Sequence, residues 1–226
     1  MSSPTSGRLA GAALIAGAVG FIVTMSIHPH GIHLDASAAD LAAQAFMTRL
    51  AHAIALAALP MTLFGLADFS RRMGFARPAA TAGLVFFAFA CAAVMNAALM
   101  SGFVQASLMD SYAGADAAQR AALPQLMTYT HMLNQAWAMV YSAASAAGIL
   151  FWSLGLMRLK GARVLAWLGV AVAVGEAALM AFGGSDALSV HGYMLMALGE
   201  GAWLIGVGLM LWRGWNPDEA AAEPAA

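Results

Sequence analysis

The sequence predicts an all-α, polytopic membrane protein that folds as a single bundle of six transmembrane helices. Hydrophobic residues make up 62% of the 226 residues and charged residues only 9%, whereas soluble domains carry about 25% charged residues. The mean hydropathy is accordingly high, at +0.77. The apolar residues are gathered into six runs, each long enough to cross a hydrocarbon core of ~30 Å as a helix. No stretch remains that is large enough for a sizeable soluble domain.

The six runs define the elements in order. The predicted spans are residues 9–25, 50–69, 79–103, 136–157, 164–182 and 193–212. The first is interpreted as a helix and not as a signal peptide, because residues 36–38, the nearest cleavage-like sequence, lie too far beyond it. Pro60 predicts a kink in the second helix, and the capping box Ser37–Asp40 predicts that this helix begins early, on the membrane surface. Residues 216–226 are predicted to form a disordered cytoplasmic tail.

The basic residues predict the orientation. With the N-terminus inside, eight of the ten Lys and Arg residues lie on the cytoplasmic side, and only Arg49 and Arg120 lie outside. This asymmetry predicts an inner-membrane protein with both termini in the cytoplasm. The net charge of −1 gives no indication of a nucleic-acid partner. The predicted partner is the lipid bilayer, while a homo-oligomer or a second membrane protein stays open.

All six histidines fall on the predicted outer side, opposite the basic residues. Three of them lie in the first external loop, where His28, His30 and His33 are followed by Asp35. Imidazole and carboxylate groups at this density can bind Cu(II), Ni(II) or Zn(II). The spacing is diagnostic of none of these ions, and the alternative is a solvated periplasmic loop that follows Pro29.

The other three histidines, His52, His131 and His191, each precede the apolar run of an even-numbered helix or stand at its start. Imidazoles from separate helices of a bundle can ligate copper, zinc or haem iron. A haem b with two histidine ligands would take His52 and His191 from the second and sixth helices. The alternatives are histidines that hydrogen-bond between helices and a proton relay.

Three amide side chains are predicted to support these histidines. Asn96 is expected at the depth of His52, where it either donates a hydrogen bond across the bundle or orients a ligating ring. Asn134 and Gln135 stand one turn beyond His131 and form a polar stripe with it. The sequence leaves open whether that stripe faces the bundle interior or the surface.

Two carboxyl groups interrupt the last two predicted helices. Glu176 lies thirteen residues beyond Arg163, and Glu200 lies thirteen residues before Arg213, so both are expected ~20 Å from the same membrane face. A carboxyl group at that depth is costly unless it is protonated, paired or hydrated. We expect the two to be neighbours, with one of them protonated. The pair either holds a proton or a cation during transport or locks the packing by hydrogen bonds to the backbone.

Three functions follow from these features. The first is a protein that binds a metal ion or haem at its His-rich periplasmic face, for redox chemistry or metal handling. The second is a proton- or cation-coupled carrier that uses the Glu pair, and the third is an accessory subunit without chemistry. The sequence favours the first, because the one-sided placement of six histidines requires more explanation than two acids. No motif for nucleotide binding, zinc proteolysis or serine hydrolysis stands in a usable context, and enzymatic activity is left open.

Overall fold

The computed structural model describes residues 4–29, 37–113, 115–159, 161–184 and 189–217. In these ranges the regular elements are the helices α1 Pro4–Ile27, α2 Ala38–Met73, α3 Pro78–Leu99, α4 Ala106–Ala113, α5 Ala117–Leu156, α6 Arg163–Phe182 and α7 Val190–Trp212, together with a π-helical segment, Met100–Gln105. The π-helical segment joins α3 to α4 as one continuous span, so the described residues hold six helical spans that are long and apolar enough to cross a bilayer. The predicted fold class, an all-α multi-pass membrane bundle, is confirmed.

Two helices are longer than the apolar runs that predicted them. Helix α5 begins at Ala117, nineteen residues before the predicted start, because Asp116 and Gln119 form a reciprocal capping box. Helix α2 begins after Ser37, whose hydroxyl accepts from the backbone amide of Asp40, and it continues unbroken to Met73. Hydropathy finds only the part of a helix that is apolar, so the polar first turns escape it. Of the predicted tail, residues 218–226 lie outside the described part of the chain.

The helices form a closed ring in which the spatial order differs from the chain order. Around the ring the neighbours are α2, α1, α7, α6, α5 and α3, which returns to α2. Small residues allow close approach between neighbours, as where a Cβ on Gly11 of α1 would lie 2.4 Å from the carbonyl oxygen of Gly208 on α7. Consecutive spans run antiparallel. We call the end of the ring that carries Arg71, Arg72, Arg158, Arg163 and Arg213 the Arg-rich end, and the end that carries His28, His52, His131 and His191 the histidine end.

An aromatic cluster fills the centre of the ring toward the Arg-rich end. It consists of Phe69 from α2, Trp152 from α5 and Trp203 from α7, all fully buried, and we call it the aromatic plug. The two indole rings stack with their centroids 5.8 Å apart, and Phe69 lies 6.1 Å and 6.2 Å from them. The indole nitrogen of Trp152 donates to the hydroxyl of Ser70 at 2.9 Å. The plug therefore joins three helices across the ring.

Candidate functional site

A cavity of about 560 Å³ occupies the histidine half of the ring. This volume falls within the ~300–1,000 Å³ typical of small-molecule sites. Its described walls come from α1, α2, α3, the π-helical segment, α5 and α7, but not from α6. On α5 the lining runs from Pro124 to Tyr141, a distance of ~25 Å at 1.5 Å per residue. Leu204 lies at the floor, next to Trp203 of the aromatic plug.

Glu200 stands in the wall of this cavity and connects it to Glu176. Tyr141, which also lines the cavity, donates a hydrogen bond from its hydroxyl to Oε2 of Glu200. Glu176 on α6 does not line the cavity, and its carboxyl group lies beside that of Glu200. The two side chains are only 4% and 3% exposed. The order from the cavity inward is thus Tyr141 and Glu200, then Glu176, and we call the two glutamates the acid pair.

We expect the acid pair to hold at least one proton. Within the described residues, no N–H or O–H group donates to either oxygen of Glu176 or to Oε1 of Glu200. Ser145 lies beside Glu200, but its hydroxyl donates to the carbonyl oxygen of Ser142 at 3.2 Å. Two neighbouring carboxylates repel each other, and burial disfavours their charge further, so ionisation of both is unfavourable. The arrangement can therefore take up and release a proton next to a cavity.

The described part of the cavity lining carries no permanent positive charge. Among the described lining residues there is no Lys or Arg. One further polar group is notable, because the hydroxyl of Tyr193 is buried and has no hydrogen-bond partner among the described residues. The titratable residues in the lining are His28, His52, His131, Tyr141, Tyr193 and Glu200.

At the histidine end of the cavity the structure brings His28 of the chain after α1 against His52 of α2. The ring centroids lie 5.0 Å apart in an edge-to-face arrangement. Nδ1 of His52 donates to the carbonyl oxygen of Thr48 at 2.7 Å, and Nδ1 of His28 donates to that of Pro29 at 3.0 Å. A carbonyl oxygen only accepts, so Nδ1 of each ring carries a proton, and Nε2 carries a lone pair when the ring is neutral.

The other predicted ligands are distributed differently. His131 and His191 are both exposed, but only His131 lines the cavity. The structure therefore pairs His52 with His28, and not with His191 as the two-histidine haem hypothesis requires. No group of three or more His, Cys, Asp or Glu that could hold a metal occurs in the described part of the chain. The loop residues His30, His33 and Asp35 lie outside it.

The three predicted supporting amides also separate. Asn96 donates to the carbonyl oxygen of Ala92 in its own helix at 2.8 Å and does not line the cavity. Asn134 and Gln135 do line it, and the amide nitrogen of Gln135 approaches Nε2 of His131 at 3.4 Å. The polar stripe of α5 thus faces the cavity.

The π-helical segment supplies cavity-lining residues that the hydropathy pattern does not reveal. Its Ser101 and Gln105 are buried and line the cavity, and Gln105 donates to the hydroxyl of Thr130 at 3.3 Å. A Cβ on Gly102 would lie 2.3 Å from the Cβ of His52, so this glycine provides the space in which the histidine sits. Segments of this kind often occur at functional sites. The available signal was a serine, a glycine and a glutamine inside an apolar run.

Comparisons with known proteins leave the function to be argued from the cavity and the acid pair. No family model, no curated protein and no solved structure matches the chain.

Proposed function

We propose that this protein is a proton-coupled carrier of a small solute, which binds in the cavity while the acid pair exchanges a proton. The observation that carries the proposal is that Glu200 stands in the wall of a solute-sized cavity and lies beside a second buried carboxyl group, that of Glu176. Ionisable groups at this depth in a membrane protein typically mark proton or ion pathways. Carriers place their coupling sites near the bilayer midplane, between parts that move.

The two ends of the ring support the same interpretation. The cavity extends to the histidine end, and the aromatic plug fills the ring beyond its floor. A carrier that exposes its site to one side at a time requires such an asymmetry, with an accessible path on one side and tight packing on the other. In the opposite state, Trp152 and Trp203 would separate and the path from Glu200 to the Arg-rich end would open.

The proposed direction follows from the basic residues. Eight of the ten Lys and Arg residues belong to the segments at the Arg-rich end, and such segments are retained in the cytoplasm. We therefore place the protein in the inner membrane with both termini in the cytoplasm, so that the cavity faces the periplasm. A reporter fused to the C-terminus is expected to be active only if it functions in the cytoplasm; activity of a periplasmic reporter would reverse the direction.

The carrier proposal is tested in proteoliposomes with an acidic interior and an internal pH dye. Organic cations, neutral amphiphiles and carboxylates are added separately from outside. At least one class is expected to cause solute-dependent alkalinisation with the wild-type protein, and Glu200→Gln is expected to abolish it. Asp110→Asn, which removes an acid outside the cavity lining, serves as the control. Proton movement that is equal in Glu200→Gln, or absent with every class, would end the proposal.

A second function, the binding of a metal ion or haem b, is favoured by one observation on the histidines. Metal-ligating histidines usually donate their other ring N–H to a carboxylate or backbone carbonyl, and both His28 and His52 do so. The proposed ligands are accordingly Nε2 of these two rings, with copper or zinc as the candidate ions. Purified protein is expected to show stoichiometric metal or a haem absorption band that is lost in His52→Ala and kept in His191→Ala. Protein that contains neither, and binds neither added Cu nor Zn, would remove this candidate.

A further inference from the structure

The cavity and the acid pair together indicate the chemical class of the solute. We infer that it is an organic cation with a single positive charge and an apolar body, which exchanges for one proton at Glu200 and Glu176. This inference rests on the proposed function, since it names the solute of the same cavity. The charges, the walls and the proton balance each support it.

The charges of the lining exclude two other classes of solute, which are anions and hard metal cations. Glu200 supplies a carboxyl group, and the described lining contains neither Lys nor Arg to hold an anion. A hard metal cation such as Ca²⁺ needs six or more oxygen ligands, whereas Glu200 is the only carboxyl group in the described lining. One buried carboxylate in an apolar setting matches a single, diffuse positive charge.

The walls match the remainder of such a molecule. Phe21, Tyr141 and Tyr193 present aromatic rings to the cavity, and aromatic faces attract organic cations, most strongly where water is excluded. The other described lining residues include alanine, valine, methionine and leucine, which favour an apolar body, together with hydroxyl, amide and imidazole side chains. The buried and unpartnered hydroxyl of Tyr193 offers a hydrogen bond in addition.

The exchange balances in charge. With two protons the acid pair is neutral, and loss of one proton leaves a monoanion in which the remaining proton bridges the carboxyl groups. The negative charge can then be neutralised either by the second proton or by the cation. Each cation that binds thus releases one proton into the cavity, and no covalent bond other than O–H breaks. Because the two compete, the cation binds more tightly as the pH rises.

Other titratable groups lie near the acid pair or in the cavity, and their contributions have to be separated. Tyr141 of α5 contacts Glu200 directly, and Cys91 of α3 lies within electrostatic range of it. On α7, Tyr193 stands two turns before Glu200. The histidines His28, His52 and His131 line the same cavity. Variants of the histidines therefore serve as controls for the pH dependence.

The test is equilibrium binding to purified protein in detergent, with tetraphenylphosphonium as the cation and triphenylphosphine oxide as a neutral compound of similar shape. The cation is expected to bind at least tenfold more tightly than the neutral compound. Its affinity is expected to rise by up to about tenfold per pH unit, as displacement of one proton requires. One proton per bound cation is expected to appear in weakly buffered solution. Loss of the pH dependence in His52→Ala or His131→Ala would assign the exchanged proton to a histidine and overturn the inference.

Substitutions at the acid separate charge from packing. Glu200→Gln is expected to lower the affinity for the cation at least tenfold and to abolish proton release, whereas Glu200→Asp, which keeps a carboxyl group, is expected to retain both. If Glu200→Gln does not fold, the wild-type comparison of cation and neutral compound with proton release decides alone. Equal affinity for the two compounds, or an unchanged affinity in folded Glu200→Gln, would overturn the inference.

The binding experiment and the transport experiment test the two proposals independently of each other. If the cation binds with proton release but moves no protons in proteoliposomes, the carrier proposal fails and the assignment of the ligand stands. If only neutral solutes or carboxylates move protons in proteoliposomes, the carrier proposal stands and the assignment of a cation fails.

Discussion

The hydroxyl of Tyr141 on α5 donates a hydrogen bond to Glu200 on α7, although these two helices are not neighbours in the ring. The same two helices meet again in the aromatic plug, where Trp152 stacks on Trp203. Aromatic side chains of α5 thus reach α7 past α6, the helix between them in the ring, at both the acid pair and the plug. A displacement of α5 relative to α7 would change both contacts together, which is the relationship that a proton-coupled carrier needs between its site and its closed end.

The first prediction concerns this hydrogen bond. Tyr141→Phe removes the hydroxyl and leaves a buried carboxyl oxygen without its donor, so we expect the free energy of unfolding to fall by about 1–2 kcal/mol. Thermal unfolding in detergent measures the change. Tyr129→Phe is the control, because Tyr129 lies on the same helix and is 61% exposed. Equal unfolding temperatures for the two variants would contradict a stabilising role of the Tyr141 hydroxyl.

The position of the acid pair could be predicted from the sequence, because it depends only on distance along two helices. Both glutamates stand thirteen residues from an arginine at the same end, and α6 and α7 are neighbours both in the chain and in the ring. Equal depth on adjacent antiparallel helices leads to contact. The hydrogen bond from Tyr141 could not be predicted in the same way, because it depends on the order of the helices in the ring.

The histidine pairing shows where counting along helices fails. The two-histidine haem hypothesis takes His52 and His191 from the second and sixth helices, as imidazoles on opposite sides of one plane. In the ring, however, α1 lies between α2 and α7, so the histidine that reaches His52 is His28, which follows α1. Hydropathy assigns depth to each residue but not an order to the helices, and that order is determined by small residues and side-chain packing.

The second prediction concerns the glycine of the π-helical segment. Gly102→Ala would place a Cβ 2.3 Å from the Cβ of His52, and neither atom belongs to a flexible chain end. We expect a loss of about 1–3 kcal/mol in stability, as overpacking typically causes, with a shift of the His52 ring that removes any metal binding there. Thermal unfolding measures the first effect.

Gly175→Ala is the matched control for that substitution. It also changes a helical glycine to alanine, but nothing lies within 4 Å of the added Cβ. Since alanine favours helix over glycine by up to ~1 kcal/mol, this variant is expected to be neutral or slightly more stable. Gly102→Ala with the stability of Gly175→Ala would show that the close contact with His52 relaxes without cost.

The third prediction concerns the aromatic plug. The Trp152 indole donates to Ser70 inside the protein, where both residues are fully buried. Trp152→Phe and Ser70→Ala are each expected to destabilise the protein, and the double variant is expected to lose about 0.5–1.5 kcal/mol less than the sum of the two. Unfolding of the four proteins measures this coupling. Trp167→Phe, at a position 63% exposed, controls for the loss of an indole. Additive losses would contradict a hydrogen bond of this strength.

The last prediction compares two acids that form ion pairs at opposite ends of the bundle. Asp68 contacts both Arg71 and Arg72; its distance to Nε of Arg72 is 2.7 Å, and the Asp68 and Arg72 side chains are 10% and 7% exposed. Asp68→Asn leaves the buried guanidinium of Arg72 with its bond to the Trp215 carbonyl oxygen but without a countercharge. We therefore expect a loss of about 3–5 kcal/mol.

The second acid, Asp110, pairs with Arg49 at 2.5 Å, but these side chains are 44% and 35% exposed. Solvent screens such a pair, so Asp110→Asn is expected to change the free energy of unfolding by only about 0–1 kcal/mol. Both variants replace an aspartate by its isosteric amide, so thermal unfolding of the two isolates the effect of burial. Losses of similar size would mean that water reaches Arg72. The ion pair between Asp68 and Arg72 would then contribute no more to stability than the exposed pair does.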